Sequence, residues 1–239
     1  MKNRNAICIL TARPNLGRND LEWHLGKKKA GLLFRAFLLD TIAAALHVSR
    51  CNIYLAYCPH DEMGEFDDIM YLFKNEEDDR GLIRKADNII PLAQEGYNTG
   101  QRLSNLSQAL FKKGIERALI VCPDSPIIDP LILKASIELL RNYNVVLGPT
   151  FDGAYYLVGV GDHYPQLFEA VDWTKENVYK QTIDNITELK LKWQELEISY
   201  DVDRLEELEQ LYCDIDNLRL TGKNDICRHT EKCLANLKR

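Results

Sequence analysis

The sequence predicts an α/β fold, a single domain over residues 1–239 on a mixed, mostly parallel sheet, and three observations carry that expectation. Short apolar runs alternate with longer stretches whose apolar residues recur at three- and four-residue steps, the pattern of strands wrapped by helices. The alternation breaks once, after Gly148, where the run from Ala154 to Val160 follows another strand with no helix between them. No Gly/Ser or Pro linker and no internal repeat interrupts the 239 residues.

Ala6 to Leu10 is the first strand. Lys2 and Arg4 ahead of it mimic a secretion signal, but the apolar stretch is too short and Arg13-Pro14 ends it. Ala30, Leu33, Phe34, Phe37, Leu38, Thr41, Ile42 and Ala45 then form one apolar face of a helix that packs on the sheet. Ile53 to Tyr57 and Asn88 to Leu92 are the next strands, and the acidic run Asn75 to Gly81 between them reads as a solvated loop. A helix from Thr99 to Lys113 stops at Gly114, and Ala118 to Cys122 is the fourth strand. Asp129-Pro130, an N-cap followed by a first-turn proline, opens a helix to Arg141. Val145 to Gly148 and Ala154 to Val160 follow as strands, then a turn at Trp173-Thr174, a helix from Lys175 to Leu189 and a last strand from Glu195 to Tyr200. Helices near Arg204 to Tyr212 and Ile226 to Leu237 close the chain, with a core over about 6–212 and a helical tail over 213–239.

Composition narrows the function classes. A formal charge of -6, 46% apolar and 28% charged residues are those of a globular protein, which excludes disorder, collagen and a membrane span. A pI near 5.5 lacks the broad positive field that holds a phosphate polymer, so no nucleic-acid partner is expected. The seven cysteines are odd in number and contain no C-x-x-C, so a reducing cytoplasm is the expected setting. Cys227-Arg-His229 to Cys233 matches no zinc spacing and reads as a surface helix carrying stray thiols. A homodimer is left open, because an exposed apolar helix face is not readable from one sequence.

Loops after the strands are where chemistry is expected, since backbone N–H groups of the following helix starts point there. After the first strand, Thr11-Ala-Arg-Pro-Asn-Leu-Gly17-Arg18 offers Arg13 and Arg18 to phosphate oxygens, although it is neither a Walker loop nor G-x-G-x-x-G and also suits a plain connection. Gln94-Glu-Gly96 to Arg102 is a glycine-bearing loop running into a helix start, open to a base or phosphate, or simply a βα loop capped by Asn98 or Thr99. Pro123-Asp124-Ser125-Pro126 leaves a buried strand with a carboxylate that can hold a hard divalent cation or accept turn hydrogen bonds. Asp152-Gly153 is a hairpin turn or a carboxylate at the centre of the cleft. Asp201 and Asp203 share a side by alternation and suit a second metal ligand, while Asp203 with Glu206 also reads as a capping box.

In order, Arg35-Ala-Phe-Leu-Leu-Asp40-Thr41, Gln94-x-Gly96-(x)3-Gly100-x-Arg102-Leu103, Pro123-Asp124-Ser125-Pro126, Leu147-Gly-Pro-x-x-Asp152-Gly-x-Tyr-Tyr-Leu-Val-Gly159, Trp173-Thr174 and Asp201-Val-Asp203 resemble the bacterial DUF2064 family of GT-A-type nucleotide-diphospho-sugar transferases, some of them named arsenosugar-biosynthesis glycosyltransferases. The resemblance spans roughly Ala6 to Leu211. It implies a Rossmann-like, three-layer αβα nucleotide-diphospho-sugar transferase fold, related to phospholactate guanylyltransferases and molybdopterin-type nucleotidyltransferases. By it, Thr11, Ala12, Arg13, Gly17 and Arg18 would cradle the nucleotide, and Gln94, Gly96 and Arg102 would line its base and phosphate side. Asp124 would bind Mg²⁺ or Mn²⁺ with Asp201 or Asp203, Asp152 and Gly153 would stand near the transferred group, and Trp173 would shape the acceptor pocket.

One departure bears on turnover more than on fold. Family members usually carry Pro-Gly-x-x-Lys-Thr-Arg-Leu in the first loop, where this chain has the shorter Pro14-Asn-Leu-Gly17-Arg18-Asn-Asp20-Leu21. Arg13, Arg18 or Lys27-Lys28-Lys29 would have to supply the cations a diphosphate needs, and the lysines also read as a solvated helix start. The expectation is a metal-dependent transferase acting on a nucleotide-sugar donor and a small-molecule acceptor. Nucleotidyl transfer with pyrophosphate release and non-catalytic nucleotide binding are the alternatives.

Overall fold

Residue alternation in the first strand already assigns the two faces of the sheet. In the computed structural model, which describes residues 3–11, 20–57, 64–173 and 177–237, β1 (Asn5–Leu10) sends Ile7 and Ile9 into one apolar cluster and Ala6 and Cys8 into another. A strand with period-two side chains and both faces covered is a central strand of a parallel sheet. Beside it lie β2 (Asn52–Tyr57) and β4 (Arg117–Val121), both parallel to it, and beyond β2 lies β3 (Ile90–Ala93).

The break after Gly148 is a reversal of direction. β5 (Val145–Pro149) and β6 (Tyr155–Val160) form a hairpin, β6 runs antiparallel to β4, and β7 (Trp193–Glu195) pairs parallel with β5. The strand order is β3-β2-β1-β4-β6-β5-β7, a mixed and mostly parallel sheet as the sequence predicts. The last strand is displaced: pairing ends at Glu195, and the expected run to Tyr200 continues only as an isolated bridge from Ser199 to Thr150.

One helical layer holds α2 (Lys27–His47), α3 (Gly64–Glu76), α4 (Arg80–Ala86) and α6 (Pro130–Leu139), packed over Ile7, Ile9 and Leu55. The other holds α5 (Thr99–Lys112), α7 (Gln166–Glu169) and α8 (Val178–Glu188). This is the three-layer αβα arrangement. α2 is long and apolar enough to cross a membrane by length and composition, yet 72% of that stretch is buried inside the fold. A third cluster joins α1 (Asp20–Leu25), α2, α9 (Leu205–Leu220) and α10 (Arg228–Leu237) through Leu21, Phe37, Leu211, Ile215 and Leu234, so residues 213–237 join the packed body.

That docking corrects two sequence expectations. The acidic run is not wholly a solvated loop: its residues are exposed except Glu77, which is buried with its carboxylate 3.2 Å from His229 Nε2, while Arg228 pairs with Glu77 and Asp78. Nor is the last helix a surface helix, since Cys227 and His229 are buried and the Cys227 thiol donates to the Pro126 carbonyl at 3.0 Å. Asp40, buried on α2, accepts the His229 and Thr230 N–H groups at 2.9 and 2.8 Å. A carboxylate from a distant helix thus caps α10, satisfying two of the donors that every helix start leaves unpaired. The Arg35-to-Thr41 motif has a structural purpose here.

Candidate active site

The sequence-predicted residues Thr11, Gln94, Asp124 and Asp152 follow β1, β3, β4 and β5 at one edge of the sheet. The ends of β1, β2, β3, β4, β5 and β7 share this edge by parallel pairing, and reversed β6 begins at it. The order reverses between β1 and β4, the crevice where open α/β sheets bind ligands.

Asp124 leaves β4 between two prolines, in a turn over Pro123, Asp124 and Ser125. Val202 N–H donates to the Asp124 carbonyl at 3.0 Å, laying the segment after β7 along this loop. The Ser125 hydroxyl, fully buried, donates to the Asp201 carboxylate. Asp124 and Asp201 are therefore neighbours although far apart in sequence. Burial pushes the Asp124 carboxyl up to about 6, with the Asp203 charge adding to it and the Cys122 thiol, at 3.3 Å, opposing it. Burial pushes Asp201 up to about 7, with Asp124, Asp152 and Asp203 adding to it and Ser125 opposing. Asp124, Asp201, Asp203 and Asp152 thus form one electrostatic cluster. Among the described residues no ion pair reaches Asp124 or Asp201, and no three His, Cys, Asp or Glu side chains close into a metal cage.

Asp152 holds the hairpin turn. Its Oδ1 accepts the Thr150 hydroxyl and, at 3.2 Å, Ala154 N–H, which holds the turn that Gly153 completes at φ 84°. The residue is exposed and close enough to raise Asp201. The capping box is offset by one residue from its expected place. Arg204 is the N-cap of α9, and Glu207 accepts N–H bonds from Arg204 at 2.6 Å and Asp203 at 3.2 Å, so Asp203 with Glu206 is not the pair that starts the helix.

On the other side of the crevice, Thr11 and Gln94 converge on one carbonyl. Thr11 N, Thr11 Oγ1 and Gln94 Nε2 lie 2.9, 3.0 and 2.5 Å from Ala56 O, so the buried Gln94 amide braces the cleft floor from beneath. The loop that follows is laced to α5: Arg102 Nε donates to Gly96 O at 3.3 Å, Asn105 to Glu95 O at 2.9 Å, and Asn98 caps the helix by accepting Gln101 N–H at 2.8 Å. Tyr97 projects from this braced loop almost wholly into solvent. Ala12, Arg13, Gly17, Arg18 and Thr174 lie outside the described residues.

Trp173 packs beside the first turn of α5 at Gly100. Its indole N–H donates to the Phe168 carbonyl at 3.0 Å, and its ring meets Tyr155 edge-on at 5.9 Å. Gly100 leaves room for that contact, since a Cβ there would collide with the Phe168 carbonyl and sit 2.7 Å from Trp173 Nε1. Gly100→Ala is therefore expected to lower stability by about 1–3 kcal/mol through overpacking, although Ala is the better helix former by about 1 kcal/mol. Thermal unfolding checks this, and a raised midpoint would refute the packing argument. Sequence reasoning passed over Ser125 and Thr150 as site residues. Their hydroxyls sit beside the acidic positions in sequence, but the Ser125–Asp201 pairing spans 76 residues and leaves no local signal.

The profile of the family described as "Uncharacterized protein conserved in bacteria (DUF2064)" matches residues 41–175, more than half of the chain. The chain belongs to DUF2064. No curated protein matches this DUF2064 chain by sequence. Among solved structures it is similar to a putative nucleotide-diphospho-sugar transferase from Desulfovibrio desulfuricans G20, with 24% identity and a TM-score of 0.77 over 95% of this chain and 98% of that one. It is similar at lower level to a cytidylyltransferase from Leptospira borgpetersenii, with 13% identity and a TM-score of 0.54 over 95% and 98% of the two chains. A third structure, 4-diphosphocytidyl-2C-methyl-D-erythritol synthase from Anaerococcus prevotii, shares 14% identity with a TM-score of 0.50 over 86% and 93%. This DUF2064 protein therefore has the nucleotide-diphospho-sugar transferase fold.

Proposed function

We propose that this protein is a metal-dependent transferase that moves a glycosyl group from a nucleoside-diphosphate sugar to a small acceptor. The observation that carries the reading is the group of mutually repelling carboxylates, Asp124, Asp201 and Asp203, at the crevice edge of the sheet. Keeping several carboxylates together costs stability unless a cation offsets them. Their oxygens suit Mg²⁺ or Mn²⁺, and an incomplete protein cage fits a cation held by one or two carboxylates plus substrate phosphates. When bound, such an ion neutralises charge on a departing diphosphate.

The chain's own groups divide the remaining work. Thr11 and Gln94 hold the floor of the nucleotide side in place, and the braced Gly96 loop approaches the base without a side chain in the way. Arg13 and Arg18 are assigned to phosphate oxygens from sequence. Asp152, exposed on the far wall, is the carboxylate that takes the acceptor's proton. The shared fold supports this reading, and the cytidylyltransferase with the same fold supports a second one, nucleotidyl transfer releasing pyrophosphate.

Calorimetric titration with UDP, GDP, CDP, ADP and dTDP and the matching triphosphates, with and without Mn²⁺, tests both. One diphosphate binding only with metal, and lost in Asp124→Ala, is the expected result. Tight binding of a triphosphate with pyrophosphate release would move the assignment to nucleotidyl transfer. Binding of no nucleotide under either condition would overturn the enzyme reading.

A further inference from the structure

The two loops that bring Asp124 and Asp201 together are distant in sequence, and their described hydrogen bonds to each other are two. One is the backbone bond from Val202 N–H to Asp124 O at 3.0 Å, and the other is the Ser125 hydroxyl on Asp201 Oδ1. Ser125 is fully buried and sits between Asp124 and Pro126, so its hydroxyl has little freedom to turn elsewhere. A serine hydroxyl has one proton to give. Given to Oδ1, it fixes the carboxylate plane of a residue whose neighbours Asp124, Asp152 and Asp203 all repel it.

Resting on the metal reading above, we infer that Ser125 is the positioning residue of the cation site, holding Asp201 beside Asp124 so that both present oxygens to one divalent ion. Ser125 does not touch the ion or the substrate. Without it, Asp201 is expected to swing away from Asp124 toward water, because the charge repulsion stays and the restraint is gone. Partners that orient a metal ligand typically change affinity 10–100-fold when removed, and that is the effect expected here.

The test is Mn²⁺ binding to the full chain, without nucleotide, followed by electron paramagnetic resonance of the free ion and by calorimetry. Four proteins are compared: wild type, Ser125→Ala, Asp201→Asn and the double variant. The expected result is a 10–100-fold weaker dissociation constant for Ser125→Ala and no further weakening when Ser125→Ala is added to Asp201→Asn, since the hydroxyl then has no ligand left to position. An unchanged affinity, within threefold of wild type, would overturn the inference and leave the metal reading standing. Equal weakening in both backgrounds would also overturn it, because a general packing defect adds while positioning through Asp201 does not. If wild type binds no Mn²⁺ alone, the same four proteins are compared with the nucleoside diphosphate that the calorimetric titration selects, and absence of Mn²⁺ binding there overturns the metal reading and this inference with it. Should Ser125→Ala not fold, Ser125→Cys keeps the volume with a weaker donor and is expected to lose affinity in the same direction. Wild-type affinity in that variant counts against the assignment.

Discussion

Asp124→Asn is expected to reduce transfer by about 10²–10³-fold while making the metal-free protein more stable at pH 8. On the proposed reading, the rate effect follows from weakening the hold on the cation that would neutralise the leaving diphosphate, an electrostatic contribution of about 3–4 kcal/mol. The stability effect follows from the sign of the pKa shifts. Asp124 and Asp201 titrate at about 6 and about 7 in the fold, above the ordinary carboxylate value. A group raised by folding favours the native state below its unfolded pKa, and that contribution is lost as pH rises through the folded value. Wild type without metal should therefore lose stability between about pH 4 and pH 7, and Asp124→Asn should lose less. A gain on the order of 1 kcal/mol at pH 8 that vanishes near pH 4 is expected, reduced from the full linkage value because the carboxylate is partly open to water. Thermal unfolding at the two pH values, alongside a transfer assay, checks both halves. A variant less stable than wild type at pH 8 would mean that Asp124 is a structural turn residue.

Asp40→Ala carries the largest expected cost in stability. The substitution leaves the His229 and Thr230 N–H groups buried without their acceptor and removes the cap of α10. Each unsatisfied buried donor costs roughly 1–3 kcal/mol and these two bonds are themselves the cap, so a total of about 2–6 kcal/mol is expected. In a chain of this size that lowers the unfolding midpoint by about 4–24 °C. Asp40→Asn keeps one acceptor but turns an amide donor toward the second N–H, so about half the loss remains. A midpoint for Asp40→Ala within 2 °C of wild type would show that α10 is held by apolar packing alone.

Both predictions depend on pairings that no local pattern announces. The strands were legible because a buried strand is a short apolar run between turn residues, and the reversal at Gly148 because no helix fits between Gly148 and Ala154. The acidic positions were legible as candidates, since each follows a strand at the edge where helix starts gather. Their meeting was not, because it depends on how the chain after β7 crosses the loop after β4. The misreadings have the same origin. Glu77 and His229 look solvated in sequence because their partner is 152 residues away, and an acidic run or a His-bearing helix is polar on its own terms. The displaced cap of α9 has a different cause: Arg204 is a poor capping residue by type, so the pattern pointed to the aspartate before it.

The capping of α10 by Asp40 also sets an order of events during synthesis. The carboxylate emerges early, but its two donors lie about 190 residues later, the separation to His229 being 189. At typical elongation rates that is roughly 10–40 s of translation. Until then α2 has a carboxylate facing what will be an apolar seam, with water as its only source of hydrogen bonds. Asp201 completes a shorter separation, 76 residues from its Ser125 partner, so a nascent chain interrupted between residues 152 and 201 carries Asp124 and Asp152 without Asp201 and Asp203.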